Sequence, residues 1–453
     1  MVFSSPTFLF LFLPIFLAVY YLLPFTKRSP WILLASWVFY GWWRLDFLLL
    51  LVGSSFAAAF VGRRIHDAAN TRVAGFWMAG GVTSALGLLG YFKYYNFGLD
   101  TLSVVLQSFG TAPLDPGTVI LPVGISFYIF QIISYIVDVY RGSAPVGRSA
   151  VDIAAYVSLF PQLVAGPIVR YNEIADQLVQ RSHTWGQFNT GARRFMVGLA
   201  RKVLIADAVA PLVISIFAHP APGFIAGWIG LFAYSLQIYF DFSAYSDMAI
   251  GMGRMMGFSF PENFNAPYHS RSITEFWRRW HMTLSAWLRD YLYIPLGGSR
   301  TGSRRTVVNL LTVMVLGGLW HGASWTFVFW GLWHGLWLVL ERTFLQKSNR
   351  LRTLTVVLFG WLLFRAESVA QLRTMIAAVV GLQGFGVPGE LLWQLPTGAM
   401  VTVLAGIAIA WVEPWTSTIL PGLRRSVLPV SLFLVSLLRL LATSYSPFLY
   451  FQF

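Results

Sequence analysis

Apolar runs close to the ~20 residues needed to cross a bilayer recur along the whole chain, from residues 7–25 to residues 428–442. Backbone N–H and C=O groups cannot face lipid unpaired, so each crossing has to be a helix or a strand of a closed barrel. The runs are continuous rather than alternating, which excludes a β-barrel. Only 11% of the 453 residues are charged, against about a quarter in an average globular chain. The expected class is an all-α, multi-pass membrane protein with the lipid bilayer as its solvent.

The net charge of +14 fits Lys and Arg gathered in cytoplasmic loops. No nucleic-acid recognition motif accompanies it, so nucleic acid is not an expected partner. The absence of cysteine excludes disulfides, thiolate metal sites and a cysteine nucleophile. No basic residue precedes Lys27 and no small-residue cleavage site follows the first apolar run, so this run reads as a retained span. Lys27 and Arg28 then place the N-terminus outside and the first loop in the cytoplasm.

Along the chain, residues 31–62 read as an out-and-back pair turning near Arg44 and Asp46. Residues 73–91 read as the next span, 93–118 as an outer loop and 119–139 as a polar-sided return. Residues 151–169 contain Pro161, Gly166 and Pro167, which break a long helix and suggest a re-entrant or interfacial element covered by protein. Residues 170–202 form a basic, amphipathic region, and 203–217 and 225–250 are further spans. The second of these carries Asp241 and Asp247 near its inner end. Roughly ten to twelve crossings, one integral-membrane domain over 1–453 and a core segment at 261–335 are expected.

The core segment holds the chemistry. Ser272 and Glu275 have capping-box spacing, which predicts a helix from Ile273 to a stop at Pro295 and Gly297. Trp277, Trp280, Leu284, Trp287, Leu288 and Tyr291 follow three-and-four spacing and make one aromatic stripe. Glu275, Arg278, Arg279 and Arg289 lie largely on another side, and His281 sits at the border. Farther on, Trp320-His321-Gly322 recurs as Trp333-His334-Gly335. On one continuous helix these 13 residues turn the second histidine about 220° from the first and raise it ~20 Å, so the two would not share a site.

Ionisable side chains at membrane depth are functional candidates. His321, flanked by Gly317, Gly318 and Gly322, is the candidate general base, because a buried neutral imidazole can take a proton from an attacking hydroxyl. His334, on a Trp-rich face, reads as a packing residue. Seven scattered histidines do not supply the three or four close ligands of a zinc site, so no metal is expected. No nucleophile-elbow serine or phosphate loop is present.

At these residues the chain resembles the membrane-bound O-acyltransferase family. The resemblance lies in Arg279-Trp-His281, in the run to Pro295 and in Gly318-Leu-Trp-His-Gly322. The opening residues, Phe160–Pro167, Tyr239–Asp247 and Ser446–Phe453 are similar to its alginate branch in particular. The resemblance implies a ring of transmembrane helices around a central tunnel, with His321 essential and His281 as second functional histidine. It implies a cytoplasmic acyl donor, acetyl-CoA or an acyl-carrier thioester, with no bound cofactor. It also implies periplasmic acetyltransferase partners that finish the transfer to an exopolysaccharide such as alginate, and a place in the bacterial inner membrane. Other acceptors are peptidoglycan, cellulose or teichoic acid. A transporter or a scaffold of an export complex stands as the non-enzymatic alternative. Arg278, Arg279, Trp280, Arg289, Asp290, Trp320 and Ser324 are the candidate donor or acceptor contacts.

Overall fold

A computed structural model describes residues 1–112, 117–300, 302–345, 347–393, 395–419 and 427–443. The closing motif Ser446–Phe453 lies outside these described residues. The described chain is helical throughout and divides into two compact units, one of residues 1–191 with 249–261, the other of 192–248 with 262 onward.

In the first unit, α1 (Leu13–Leu22), α2 (Phe25–Gly41) and α3 (Leu45–His66) follow one another, with a turn at residues 42–44, next to the expected Arg44–Asp46. The fourth helix, α4 (Thr71–Ser108), departs from expectation by running 38 residues without a break. Lys93 does not end it because its ammonium is buried and donates to Ser126 Oγ at 3.3 Å. Asn96 holds the Val119 backbone from the same helix, donating to its carbonyl at 2.8 Å and accepting from its N–H at 3.0 Å. The residues expected to be an outer loop therefore form the helix's second half.

The return helix is α5 (Ile125–Arg141), and α6 (Ala150–Ser158) and α7 (Phe160–Leu163) make the Pro-interrupted element. Residues 153–169 are all buried, so protein covers the broken helix. Ser36 Oγ takes the Phe160 N–H at 3.2 Å, and the Tyr156 hydroxyl donates to the Val169 carbonyl at 2.9 Å. These side chains satisfy backbone groups that the prolines leave without helical partners.

After α8 (Tyr171–Val179), one cluster closes tightly. The Tyr20 hydroxyl donates to the Met256 carbonyl at 2.7 Å and receives Arg181 Nε at 3.0 Å. The Arg181 guanidinium lies 5.0 Å from the Phe25 ring centroid and 4.3 Å from that of Phe258. Arg28 donates to His183 Nε2 at 3.0 Å, and the Tyr20 oxygen is 2.9 Å from the same nitrogen. A guanidinium only donates, so Nε2 is an acceptor and a neutral His183 carries its proton on Nδ1.

Helix α9 (Trp185–Arg201) leads into the second unit, followed by α10 (Asp207–Ala218) and α11 (Gly223–Met255). Helices α3, α4 and α11 are long and apolar enough to cross a membrane; the apolar window of α11 is 72% buried and that of α4 only 11%. Helix α11 is therefore a core helix that can carry polar groups on its faces. Both its acidic residues are ion-paired: Asp241 to Lys202 at 2.8 Å, and Asp247 to Arg194 at 2.7 Å and Arg201 at 3.2 Å. Lys202 also bonds Asp207 at 2.5 Å. Lys202 and Asp241 are each 2% exposed, so this ion pair is sealed from solvent, while Asp207 at 9% lies at its edge.

The expected continuous helix from Ile273 does not form. It splits into α12 (Ile273–Arg279) and α13 (Met282–Leu288) at His281, whose φ is +43°. Ser272 Oγ does cap the Glu275 N–H at 3.0 Å, as its spacing predicts, but Glu275 reaches back to the Arg271 N–H rather than to Ser272. The cause of the split is residues 263–265. The Met282 N–H donates to the Asn263 carbonyl at 2.9 Å, and the Asn265 N–H to the Arg279 carbonyl at 2.9 Å. This strand-like stretch pairs with backbone groups the helix would otherwise use internally. A local three-and-four pattern cannot foresee that competitor.

The apolar run that carries both Trp-His-Gly motifs divides as well, at the His321-Gly322 step. Helices α14 (Ser303–His321) and α15 (Trp325–Thr343) form a hairpin around residues 322–324. A Cβ added to Gly318 would lie 2.3 Å from the Phe327 carbonyl oxygen and 3.2 Å from Gly331 Cα. The two backbones touch because glycine stands on both sides, the small-residue packing of membrane helices. Helices α16 (Arg350–Arg365), α17 (Val369–Val379), α18 (Gly389–Leu392), α19 (Thr397–Ile419) and α20 (Leu428–Ala442) complete the described chain.

Candidate active site

His281 and His321 converge. Both are buried, and their ring centroids lie 6.4 Å apart. His281 gets there through the α12–α13 break, since a left-handed residue turns its side chain off the course of either helix. Such a conformation costs about 1–3 kcal/mol in a residue other than glycine and persists only where surroundings fix it. His321 is the last residue of α14, placed by the hairpin.

Asn263 is the residue that fixes His281. Its Oδ1 accepts from His281 Nδ1 at 3.0 Å, from Thr283 Oγ at 2.9 Å and from the Thr283 N–H at 3.4 Å. The backbone N–H can only donate, so this atom of the amide is the oxygen. An amide oxygen only accepts, so Nδ1 of His281 carries a proton. The lone pair of the neutral ring is therefore on Nε2, a buried atom with no hydrogen-bond partner among the described residues. An unpaired buried polar atom costs about 1–3 kcal/mol, which marks it as a place where something else binds.

The histidines share an aromatic enclosure. Phe242 meets His281 edge-on at 4.7 Å, and Trp320 lies 6.0 Å from His281 and 5.0 Å from His321. Phe364 and Trp330 pack on His321 at 5.3 and 5.1 Å. Trp330 also packs on His334, at 5.1 Å. Because of the hairpin, the second Trp-His-Gly histidine lies one ring away from the first site rather than 20 Å along a helix, which corrects the expectation drawn from a continuous helix. His334 is fully buried and contacts Phe276 and Trp277 at 6.3 and 5.2 Å.

The other candidates separate by contact. Trp320 belongs to the enclosure. Trp280 is buried in an adjoining cluster, 4.7 Å from Trp361 and 5.0 Å from Phe264. Arg278 is exposed. Arg279 is bonded to Glu275 at 2.9 Å and to the Asn265 carbonyl at 3.2 Å. Arg289 is paired with its neighbour Asp290 at 2.7 Å, and the Ser324 hydroxyl with Thr326 at 2.8 Å. None of the three arginines is buried beside the histidines. Sequence reasoning missed Asn263, Phe242, Trp330 and Phe364. Asn263 stands in an irregular stretch 18 residues before its partner, where no periodicity signals it.

A water-excluding aromatic enclosure with an imidazole lone pair suits proton transfer during acyl exchange. Comparison with known proteins decides the family. The model of the membrane-bound O-acyltransferase family matches residues 141–370. The Probable alginate O-acetylase AlgI of Pseudomonas putida is 45% identical across the full length of both chains. This chain belongs to the membrane-bound O-acyltransferase family. It is therefore a polytopic membrane enzyme that transfers acyl groups to oxygen. Two further family relatives are more distant. A peptidoglycan O-acetyltransferase of Helicobacter pylori is 36% identical over 85% of this chain and 80% of its own length. A teichoic acid D-alanyltransferase of Bacillus subtilis is 28% identical over 52% of this chain and 62% of its own.

Proposed function

We propose that this O-acyltransferase moves an acetyl group from a cytoplasmic thioester, acetyl-CoA or an acylated carrier protein, across the bacterial inner membrane toward an exopolysaccharide such as alginate. The observation that carries the site is the 6.4 Å approach of two buried histidines. Full-length identity of 45% to an alginate O-acetylase supports the acceptor class.

In this reading His321 is the base. The acceptor hydroxyl gives its proton to the His321 imidazole as its oxygen attacks the thioester carbonyl carbon. A C–O bond forms and the carbonyl pair moves onto oxygen. Collapse breaks the C–S bond, and the departing thiolate takes the proton back. His281 orients the reacting group through its Nε2 lone pair. The chain as a single membrane domain, a ring of ten to twelve crossings around a tunnel, and an N-terminus outside belong to the same proposal. So do periplasmic partners that receive the acetyl group. Arg278, Arg279 and Arg289 are proposed to attract the anionic donor electrostatically. A cell-wall acceptor is the second reading, favoured by the peptidoglycan O-acetyltransferase match over 85% of this chain.

The test is the O-acetyl content of the host's exopolysaccharide in cells with wild-type protein, His321→Ala or none, at equal membrane abundance. Acetylation that needs His321 supports the reading. Acetylation equal in all three cells rejects the exopolysaccharide as acceptor. Acetylation that needs the protein but survives His321→Ala favours the scaffold role.

A further inference from the structure

Beside His321, three residues carry nitrogen atoms that have no hydrogen-bond partner among the described residues. Trp277, Trp330 and His334 pack mutually: 5.5 Å between the two indoles, 5.2 Å from Trp277 to His334 and 5.1 Å from Trp330 to His334. The Nε1 of each tryptophan and both ring nitrogens of His334 are buried without a hydrogen-bond partner among the described residues. Trp330 is 1% exposed and His334 is 0% exposed. Neighbouring Phe276 and Trp361 bring no acceptor, and the α16 backbone closes on the imidazole. A Cβ on Gly360 would stand 2.6 Å from His334 Nε2.

Packing alone gives no reason for these residue types, since phenylalanine would fill the same box without a stranded polar atom. The hydrogen-bonding inventory is lopsided. Each indole supplies one donor and no acceptor, and a neutral imidazole supplies one of each. Three donors face one acceptor. None of the three donors is taken within the cluster, so they are available to the two lone pairs of a single oxygen atom. Trp330 is also the ring that packs on His321.

We infer that Trp277, Trp330 and His334 form a donor box for the carbonyl oxygen of the acyl group, and that this oxygen becomes an oxyanion there. This rests on the acyl-transfer reading above. When the acceptor oxygen bonds to the carbonyl carbon, the π pair moves to the carbonyl oxygen and the hydroxyl proton to His321. Indole N–H groups fixed in a dry enclosure stabilise that charge without having to reorganise. When the pair returns, the C–S bond breaks and the thiolate leaves with the proton. The donors strengthen their bonds only as charge develops, so their loss lowers kcat rather than raising KM.

Replacing Trp330 or Trp277 by 3-benzothienylalanine keeps the bicyclic shape and removes only the N–H. Rates are read as label incorporated into polymer from radiolabelled acetyl-CoA in permeabilised cells that keep the acyl carrier, the periplasmic partners and the polymer, beside wild type and His321→Ala. A fall in kcat of about 100–1,000-fold at position 330, with KM within twofold and detergent thermal unfolding unchanged, supports the inference. His334→Phe is expected to act in the same direction. Unchanged kcat with the isostere at both tryptophan positions, while His321→Ala is inactive, overturns this inference and leaves the acyl-transfer reading standing. A wild-type rate no higher than that of His321→Ala overturns the parent reading, and this inference falls with it.

Discussion

Two histidine environments in this chain are built on opposite terms. In the first unit, the lone pair of His183 is engaged: Nε2 accepts from Arg28, with Tyr20 and Arg181 completing the cluster. In the second, His281 has one nitrogen held by Asn263, and its other nitrogen and both of His334 have no hydrogen-bond partner among the described residues. The first arrangement uses its acceptor nitrogen to hold segments distant in sequence together. The second leaves atoms open at a cost in stability and surrounds them with aromatic rings. Bare polar atoms in a dry enclosure are retained where a reacting group is to supply the missing partner.

The sharpest way to break this contrast is His321→Ala, expected to lower acyl transfer about 10²–10⁴-fold with the protein still folded in the membrane. An active His321→Ala would make the open cluster a packing curiosity. Next is a closed cluster: Lys202→Met takes the ammonium away from the buried Asp241 carboxylate, and should destabilise the second unit by about 3–5 kcal/mol in detergent unfolding. Little change there would mean that water already reaches the pair.

Asn263→Leu comes third. It releases the His281 tautomer without touching substrate, and a loss in kcat of about 10–100-fold is expected, the usual cost of removing the partner that orients an active imidazole. The smallest effect belongs to His183. Partial burial, then the charges of Arg28 and Arg181, hold its pKa below the ordinary 6.5. The unfolded chain therefore binds this proton more readily than the folded one, and stability falls as pH drops below about 6.5. His183→Gln should flatten that part of the stability profile while leaving acyl transfer near wild type at pH 7.5.

Much of this was legible in sequence. Continuous apolar runs announced an all-helical membrane chain, and Ser272 marked a helix start to the residue. Glycines around His321 pointed to close backbone approach, realised at Gly318. What escaped notice shares one physical cause. The α12–α13 break depends on backbone bonds from residues 263–265, and the meeting of His334 with Trp330 depends on a hairpin. A pattern within one segment is blind to a competitor that lies elsewhere in the chain. Lys93 shows the same effect in reverse: a charge that looks like a boundary is absorbed mid-helix by Ser126 on another element.

The contact between Gly318 and Gly331 has a mechanical consequence. Between most packed helices lies a layer of side chains that can shift rotamers and let the pair slide. Here backbone rests on backbone, with no such bearing. The hairpin that carries His321 on one limb and His334 on the other acts as a single stiff strut, and any gate that admits reactants must swing on some other part of the molecule.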